Sequence, residues 1–193
     1  EAGVIGDRFD LTLGHSPPGS SYNEEEEGVP FYQGRKDFQF RYPGYRVYCT
    51  EPKRFAEAGD TLVSIRAPVG DINMARERCC IGRGIAGLRH KTGSRSYTYY
   101  AMKKLGDRFE KYNAEGTVFG SIGKKDFLAL DWICAPDHLV ELFEEKAYPF
   151  DEHIRVNERE CRTLSDTRDT LLPKLLSGEV RVAECEAPLA EVD

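Results

Sequence analysis

The stretch DHLVELFEEKAYPFDEHIRVNERECRTLSDTRDTLL, Asp137 to Leu172, decides the architecture. Val140, Phe143, Ala147, Phe150, Ile154, Asn157, Cys161, Leu164, Arg168 and Leu171 recur at alternating steps of three and four. That is the heptad seam of a helix packed along another helix. All but Asn157 and Arg168 are apolar. A buried amide such as Asn157 fixes register and partner number at some cost in stability. A helix over this stretch is roughly 54 Å long, longer than a compact domain of this size. The expectation is therefore a helix that projects and meets a partner, in preference to one lying on its own domain. Pro149 interrupts the pattern and is expected to kink or divide the helix, with the stronger half after Phe150.

The remaining chain supplies one ordinary domain. Hydrophobic residues make up 40% of the sequence, enough for a core. No apolar run is long enough to span a membrane, and the start does not read as a signal peptide. The six cysteines contain no C-x-x-C pair, so reduced thiols in a cytoplasm are the simplest reading. The net charge of −6 conceals a segregation. Residues 1–34 carry one basic and seven acidic side chains, residues 35–125 carry 19 and nine, and residues 126–193 carry seven and 17. A basic middle with acidic flanks points to a domain that binds a polyanion and a helix that does not. The alternative is a solvated basic surface paired with the acidic helix.

In chain order, Arg8–Leu13 reads as a short strand. SPPGSSYNE (16–24) reads as a fixed turn before the acidic run Glu24–Glu27, which should face away from phosphate. GVPFYQGRKDF (28–38) holds a strand ending at Gly34, with Arg35 and Lys36 beyond. Phe38, Phe40, Tyr42 and Tyr45 interleave with Arg41 and Arg46, the mixture of cations and rings that a nucleic-acid surface needs, or else an aromatic core strand with a basic outer face. Strands follow at TLVSIRA (61–67) and 72–75. CCIGRGIAGLR (79–89) reads as a third strand interrupted by Gly82-Arg83-Gly84, either a tight bulge or a close approach to a ligand. Arg89, His90, Lys91 and Arg95 lie in a polar loop. A helix is expected over 97–112, capped by Ser96, closed by Gly116, and with Ala101, Leu105, Phe109 and Tyr112 inward. TVFGSIGKKDF (117–127) is expected as a loop ending in Lys124 and Lys125, and it lacks the spacing of a phosphate loop. Residues 129–135 read as a last buried strand and Pro136 as the entry to the long helix.

These segments carry a resemblance. SPPGSSYNE, GVPFYQGRKDF, RAPVGDIN (66–73), CCIGRGIAGLR and LLPKLLSGEVRV (171–182) resemble signatures of the specificity subunits of type I restriction–modification enzymes, in the family's order. Pro136 stands alone where the family tends to have a proline-rich step followed by Glu-Gln. The resemblance implies a target recognition domain that reads half of a split DNA sequence, followed by a conserved helix. Family members usually carry two such domains, whose helices pack antiparallel as a ruler. Here there is one of each, so the chain is a natural half-length subunit or part of a longer one.

No methyltransferase motif, helicase phosphate loop or metal spacing among the four histidines is visible, and the resemblance assigns catalysis to other subunits. The expected fold is therefore α+β: a β-rich mixed target recognition domain over 1–136, then a long projecting helix with a C-terminal conserved region over 137–182, pairing antiparallel in coiled-coil fashion, and a disordered tail over 183–193. The expected function is non-catalytic, sequence-specific DNA recognition without cofactor or metal. Expected partners are double-stranded DNA, methyltransferase and restriction subunits, and a second copy of the chain. The DNA-binding candidates are Arg35, Lys36, Arg41, Arg83, Arg89, Lys91, Arg95, Lys124 and Lys125. Two other readings stay open: a protein-interaction scaffold acting through its heptad helix, and the C-terminal part of a fused methyltransferase–nuclease.

Overall fold

The computed structural model describes residues 1–114 and 120–181. The order of elements is β1 (Ala2–Val4), α1 (Ile5–Arg8), β2 (Phe9–Leu13), β3 (Tyr22–Asn23), β4 (Val29–Tyr32), β5 (Tyr48–Cys49), β6 (Phe55–Ala56), β7 (Thr61–Ser64), β8 (Ile72–Met74), β9 (Cys79–Ile81), β10 (Ile85–His90), α2 (Arg95–Lys104), α3 (Gly106–Ala114), α4 (Lys124–Leu128), β11 (Asp131–Ile133) and α5 (Asp137–Leu176). The architecture is α+β, with a long C-terminal helix. By its internal contacts the chain divides into two units, Glu1–Pro149 and a second beginning at Phe150.

The first unit is built in layers. An antiparallel sheet in the order β2-β10-β7-β8 sits at its centre. One face, through Phe9, Leu11, Val63, Ala86 and Leu88, packs against Met102, Leu105 and Phe109 of the helical region. The other face, through Leu62 and Ile85, meets Tyr32, Ala56, Cys79 and Ile81. These belong to a second sheet, ordered β3-β5-β4-β9-β6, in which β4 and β9 run parallel. Burial on both faces explains why IAGLR reads as a nearly continuous apolar run rather than an alternation. A Cβ at Gly87 would stand in ordinary contact with Ala56 and Ile81 of the neighbouring layer.

The sequence CCIGRGIAGLR is thus two strands in two different sheets. Gly82-Arg83-Gly84 carries the chain from one to the other. The expected helix over 97–112 is also two helices, parted at Leu105; Gly116 lies outside the described residues. Lys124 and Lys125 open α4 instead of ending a loop. Among the described residues the last strand pairs only with β1, and it is not buried: Asp131 and Ile133 are exposed, while the flanking Leu130 and Cys134 are inside. The aromatic and basic run 38–46 forms no strand, since Pro43 and Gly44 turn it back and Phe38 bridges Pro43.

Pro149 does not divide α5, which is helical without interruption from Asp137 to Leu176. Proline lacks one amide donor, and the turns on either side keep the helix. The seam is not uniform either. Val140 is fully buried, and the Phe143 ring meets Tyr97 and Tyr100 edge-on at centroid distances of 5.8 and 5.9 Å. Val140 thus serves the core of the first unit, which corrects its assignment to helix pairing, whereas Phe143 touches these rings and is still 41% exposed; Ala147 is half-buried. In the second unit Ile154 is half-buried, while Phe150, Asn157, Cys161, Leu164 and Leu171 are exposed. The part of α5 from 150 to 176 is about 40 Å long. Residues 183–193 and Val182 lie outside the described residues.

The early turns of α5 also complete another helix. Ser96, expected as the cap, lies inside α2; the residue before the helix is Ser94, and its side chain makes no cap. The Glu144 carboxylate accepts hydrogen bonds from the backbone N–H groups of Arg95, Ser96 and Tyr97 at 2.9, 3.2 and 2.9 Å. Three otherwise unpaired donors and the positive end of the helix dipole are satisfied by one anion. Glu144→Ala is expected to lower unfolding stability by about 1–2 kcal/mol, with Glu144→Gln intermediate, measured by urea denaturation. An unchanged midpoint would remove the capping role.

Candidate nucleic-acid interface

The segment Gln33–Asp37 follows β4 and turns sharply. Its shape is held by the buried Asp37, whose Oδ2 accepts from the N–H groups of Gln33 and Gly34 at 2.6 and 3.3 Å. The other oxygen of Asp37 takes Arg46 at 2.8 Å. With both oxygens engaged by these donors the carboxylate is held in place, so Arg35 and Lys36 are presented outward on a fixed turn. Arg35 forms an ion pair with Asp71 at 2.7 Å.

The Gly82-Arg83-Gly84 turn docks on the same segment. A Cβ on Gly84 would lie 2.4 Å from the carbonyl oxygen of Gln33, so only glycine permits this approach. The turn is tied on several sides. Gly82 N–H donates to Tyr32 O at 2.8 Å, Ile85 N–H to Gly82 O at 3.0 Å, and Ile65 N–H to Gly84 O at 2.9 Å. The Arg83 N–H donates to Ser16 Oγ at 3.3 Å. Arg83 alone of the three residues carries a side chain, and it faces solvent. The close approach that the two glycines permit is to the protein's own backbone at Gln33, with the arginine between them exposed.

Arg66 closes the groove from a third side. It follows β7 and is held by pairing with the 120–122 segment, through Ala67 N–H to Gly120 O at 2.8 Å and Ile122 N–H to Ile65 O at 3.1 Å. The result is a groove of about 710 Å³ lined by Gln33, Arg35, Lys36, Phe38, Arg66 and Arg83, among others. Among the described residues no carboxylate pairs with Lys36, Arg66 or Arg83. Arg66 was missed in the sequence reading, although an arginine immediately after an apolar strand and before Ala-Pro marks a strand end facing out.

The other candidates lie elsewhere. Arg41 is buried, its guanidinium 4.0 Å from the Tyr99 ring centre and bonded to Tyr100 Oη at 3.2 Å. It is an interior cation–π anchor, which corrects its reading as a DNA-facing residue. Arg89 pairs with Asp60 at 2.7 Å; burial pushes the Asp60 carboxyl upward, against the opposing pull of the Glu57 N–H and Arg89. Arg95 lies across Gly59 and lines a separate depression with Arg89 and Glu57. Lys91 donates to the carbonyls of Gly6 and Asp7 at 3.2 and 2.8 Å, a bond within the fold. Lys124 and Lys125 are exposed at the start of α4, just past the segment that pairs with Ile65 and Ala67. The acidic residues Glu24–Glu27 are exposed and line none of these depressions. Among the described residues no cluster of His, Cys, Asp or Glu is arranged to hold a metal ion, and no described helix is long and apolar enough to cross a membrane. Cys49, Cys79, Cys80 and Cys134 are buried free thiols and Cys161 an exposed one.

No family model matches the chain. A protein of Methanocaldococcus jannaschii, named as the specificity subunit of the MjaX type I restriction enzyme, is 34% identical over 176 residues, covering 90% of this chain and 41% of that protein. Among solved structures, the HsdS subunit from Thermoanaerobacter tengcongensis matches with a TM-score of 0.66 and 30% identity over 93% of this chain and 45% of its own. A chain from a study of complex assembly and conformational transition of the type I R-M system matches with a TM-score of 0.67 and 31% identity over 89% and 43%. The S subunit of a type I system from M. genitalium, at 18% identity and a TM-score of 0.69, shares the fold. The chain spans rather less than half the length of these relatives. Over that span, in sequence and in fold, it is similar to the specificity subunits of type I restriction–modification enzymes.

Proposed function

We propose that this chain is the DNA-recognition part of a type I restriction–modification system, reading half of a split target and directing methyltransferase and restriction subunits to it, without catalysis or cofactor of its own. The groove carries this reading: Lys36, Arg66 and Arg83 converge on it from three separate chain segments, with no carboxylate partner among the described residues. Cations held without an acidic partner in a folded domain are suited to an anionic ligand, and the amide of Gln33 beside them is suited to base edges. The recognition domain is assigned to 1–136 and the helix with its conserved end to 137–182. Such a protein works where the DNA is, in the cytoplasm. Arg35, Lys124 and Lys125 are assigned as supporting phosphate contacts. Arg89 and Arg95 form a second basic depression outside the groove.

The test is a fluorescence-anisotropy titration with duplex DNA at two salt concentrations. The combined variant K36Q/R66Q/R83Q is expected to bind more weakly and to reduce the log–log salt slope by about 3, one for each lost phosphate contact. Unchanged affinity and slope would sink the DNA reading and favour the scaffold role of the helix.

The chain is further proposed to self-associate through the second unit. Phe150, Cys161, Leu164 and Leu171, exposed, and Ile154, half-buried, lie along one apolar seam with Asn157 within it, and two copies pairing antiparallel about a two-fold axis would bury it. Two copies of one recognition domain then read two copies of one half-site, so the expected target is an interrupted palindrome. Light scattering at tens of micromolar chain is expected to give a dimer, and methylome mapping of a host carrying the intact system a symmetric split site. A strict monomer removes the pairing; an asymmetric site removes the two-copy arrangement.

A further inference from the structure

The loop 38–44 stands next to the basic groove, since Phe38 at its base is part of the groove lining. Most of the loop is turned inward. Tyr42 is buried, and Arg41 is held by the rings of Tyr99 and Tyr100. Phe40 does the opposite. It is 78% exposed, although its neighbours show that the chain here has interior space to use.

Solitary surface phenylalanines are common and need no explanation when the backbone is free to move. This one is held. The carbonyl before it, on Gln39, accepts from Asn73 Nδ2 at 2.9 Å. The carbonyl after it, on Arg41, accepts from Met74 N–H at 2.9 Å. The loop is closed below by the Phe38–Pro43 bridge and by Gly44 N–H to Asp37 O at 2.9 Å. The same Asp37 shapes the turn that presents Arg35 and Lys36. A rigid backbone therefore pushes one apolar ring into water beside a basic groove.

We infer that Phe40 is a specificity-determining residue that packs on an apolar surface of the bases when DNA occupies the groove. This rests on the DNA-reading proposal above. Two base surfaces offer that chemistry: the C5-methyl group of thymine, and the ring face exposed when an apolar wedge opens a base step. In either case a neutral ring releases no counter-ion. It adds discrimination between sequences without adding salt dependence, the reverse of what Lys36 contributes.

The experiment starts from a library of duplexes with a randomised core, selected on the full wild-type chain. The enriched duplex and a scrambled one are then titrated against wild type, F40A and F40L. F40A is expected to lose about tenfold in the ratio of enriched to scrambled affinity, with scrambled binding, salt slope and thermal midpoint unchanged, while F40L keeps most of the ratio. Replacing thymine by uracil throughout the enriched duplex separates the two surfaces: loss of affinity for wild type but not F40A identifies the methyl contact. A 2-aminopurine fluorescence rise with wild type but not F40A identifies an opened step. If neither responds, or if F40A discriminates as well as wild type, the assignment of Phe40 is wrong while the groove reading stands. If wild type enriches no sequence at all, the DNA reading falls and this inference falls with it.

Discussion

The close approach of the Gly82-Arg83-Gly84 turn to the carbonyl of Gln33 is the contact on which the rest of the first unit depends. It is the point where the chain leaves one sheet and enters the other, so the stacking of the two layers is set there. A Cβ at Gly84 has no room, and packed interiors do not yield by the ångström it would need. The same contact brings Arg83 alongside the Gln33–Asp37 turn, and Ile65 N–H, bonded to Gly84 O, brings in the end of β7 and Arg66. One backbone contact therefore joins the layers and assembles the basic groove.

The division of labour among cations follows from burial. Arginines paired to carboxylates, such as Arg46 with Asp37 and Arg89 with Asp60, stabilise loops and leave little charge over for a ligand. Arg41 has gone further and become part of the interior, where the face of an aromatic ring replaces water around the guanidinium. Charge counted along the sequence makes no such distinction. The excess of cations over residues 35–125 is real, but only part of it faces a groove.

What was legible in the sequence was periodicity and punctuation. The spacing over 137–172 gave a long helix, and Gly59-Asp60, Pro68 and Gly82-Arg83-Gly84 bracketed the central strands. The interruptions were harder. Pro149 looked like a helix break because local propensity penalises it, yet the helix runs through it without interruption. The seam is regular in sequence, but Val140 spends its apolar surface on the first unit, and no spacing rule reveals which partner a stripe will meet. The Arg41 assignment failed for a related reason: a strand would have placed alternate residues outside, and the run containing Pro43 and Gly44 is not a strand. Arg66 was overlooked because it sits in a segment read for its strand and not for its end.

The bonds that hold the 38–44 loop are made largely by main-chain atoms, at Gln39 O, Arg41 O and Gly44 N–H. Every amino acid supplies those carbonyl acceptors, whatever its side chain. The tip can therefore change identity while its scaffold persists, much as a tool holder accepts different bits. For a protein whose task is to prefer one sequence over others, that separates two evolutionary demands that are often in conflict: drift at the tip explores new preferences, and the fold is not put at risk by the exploration.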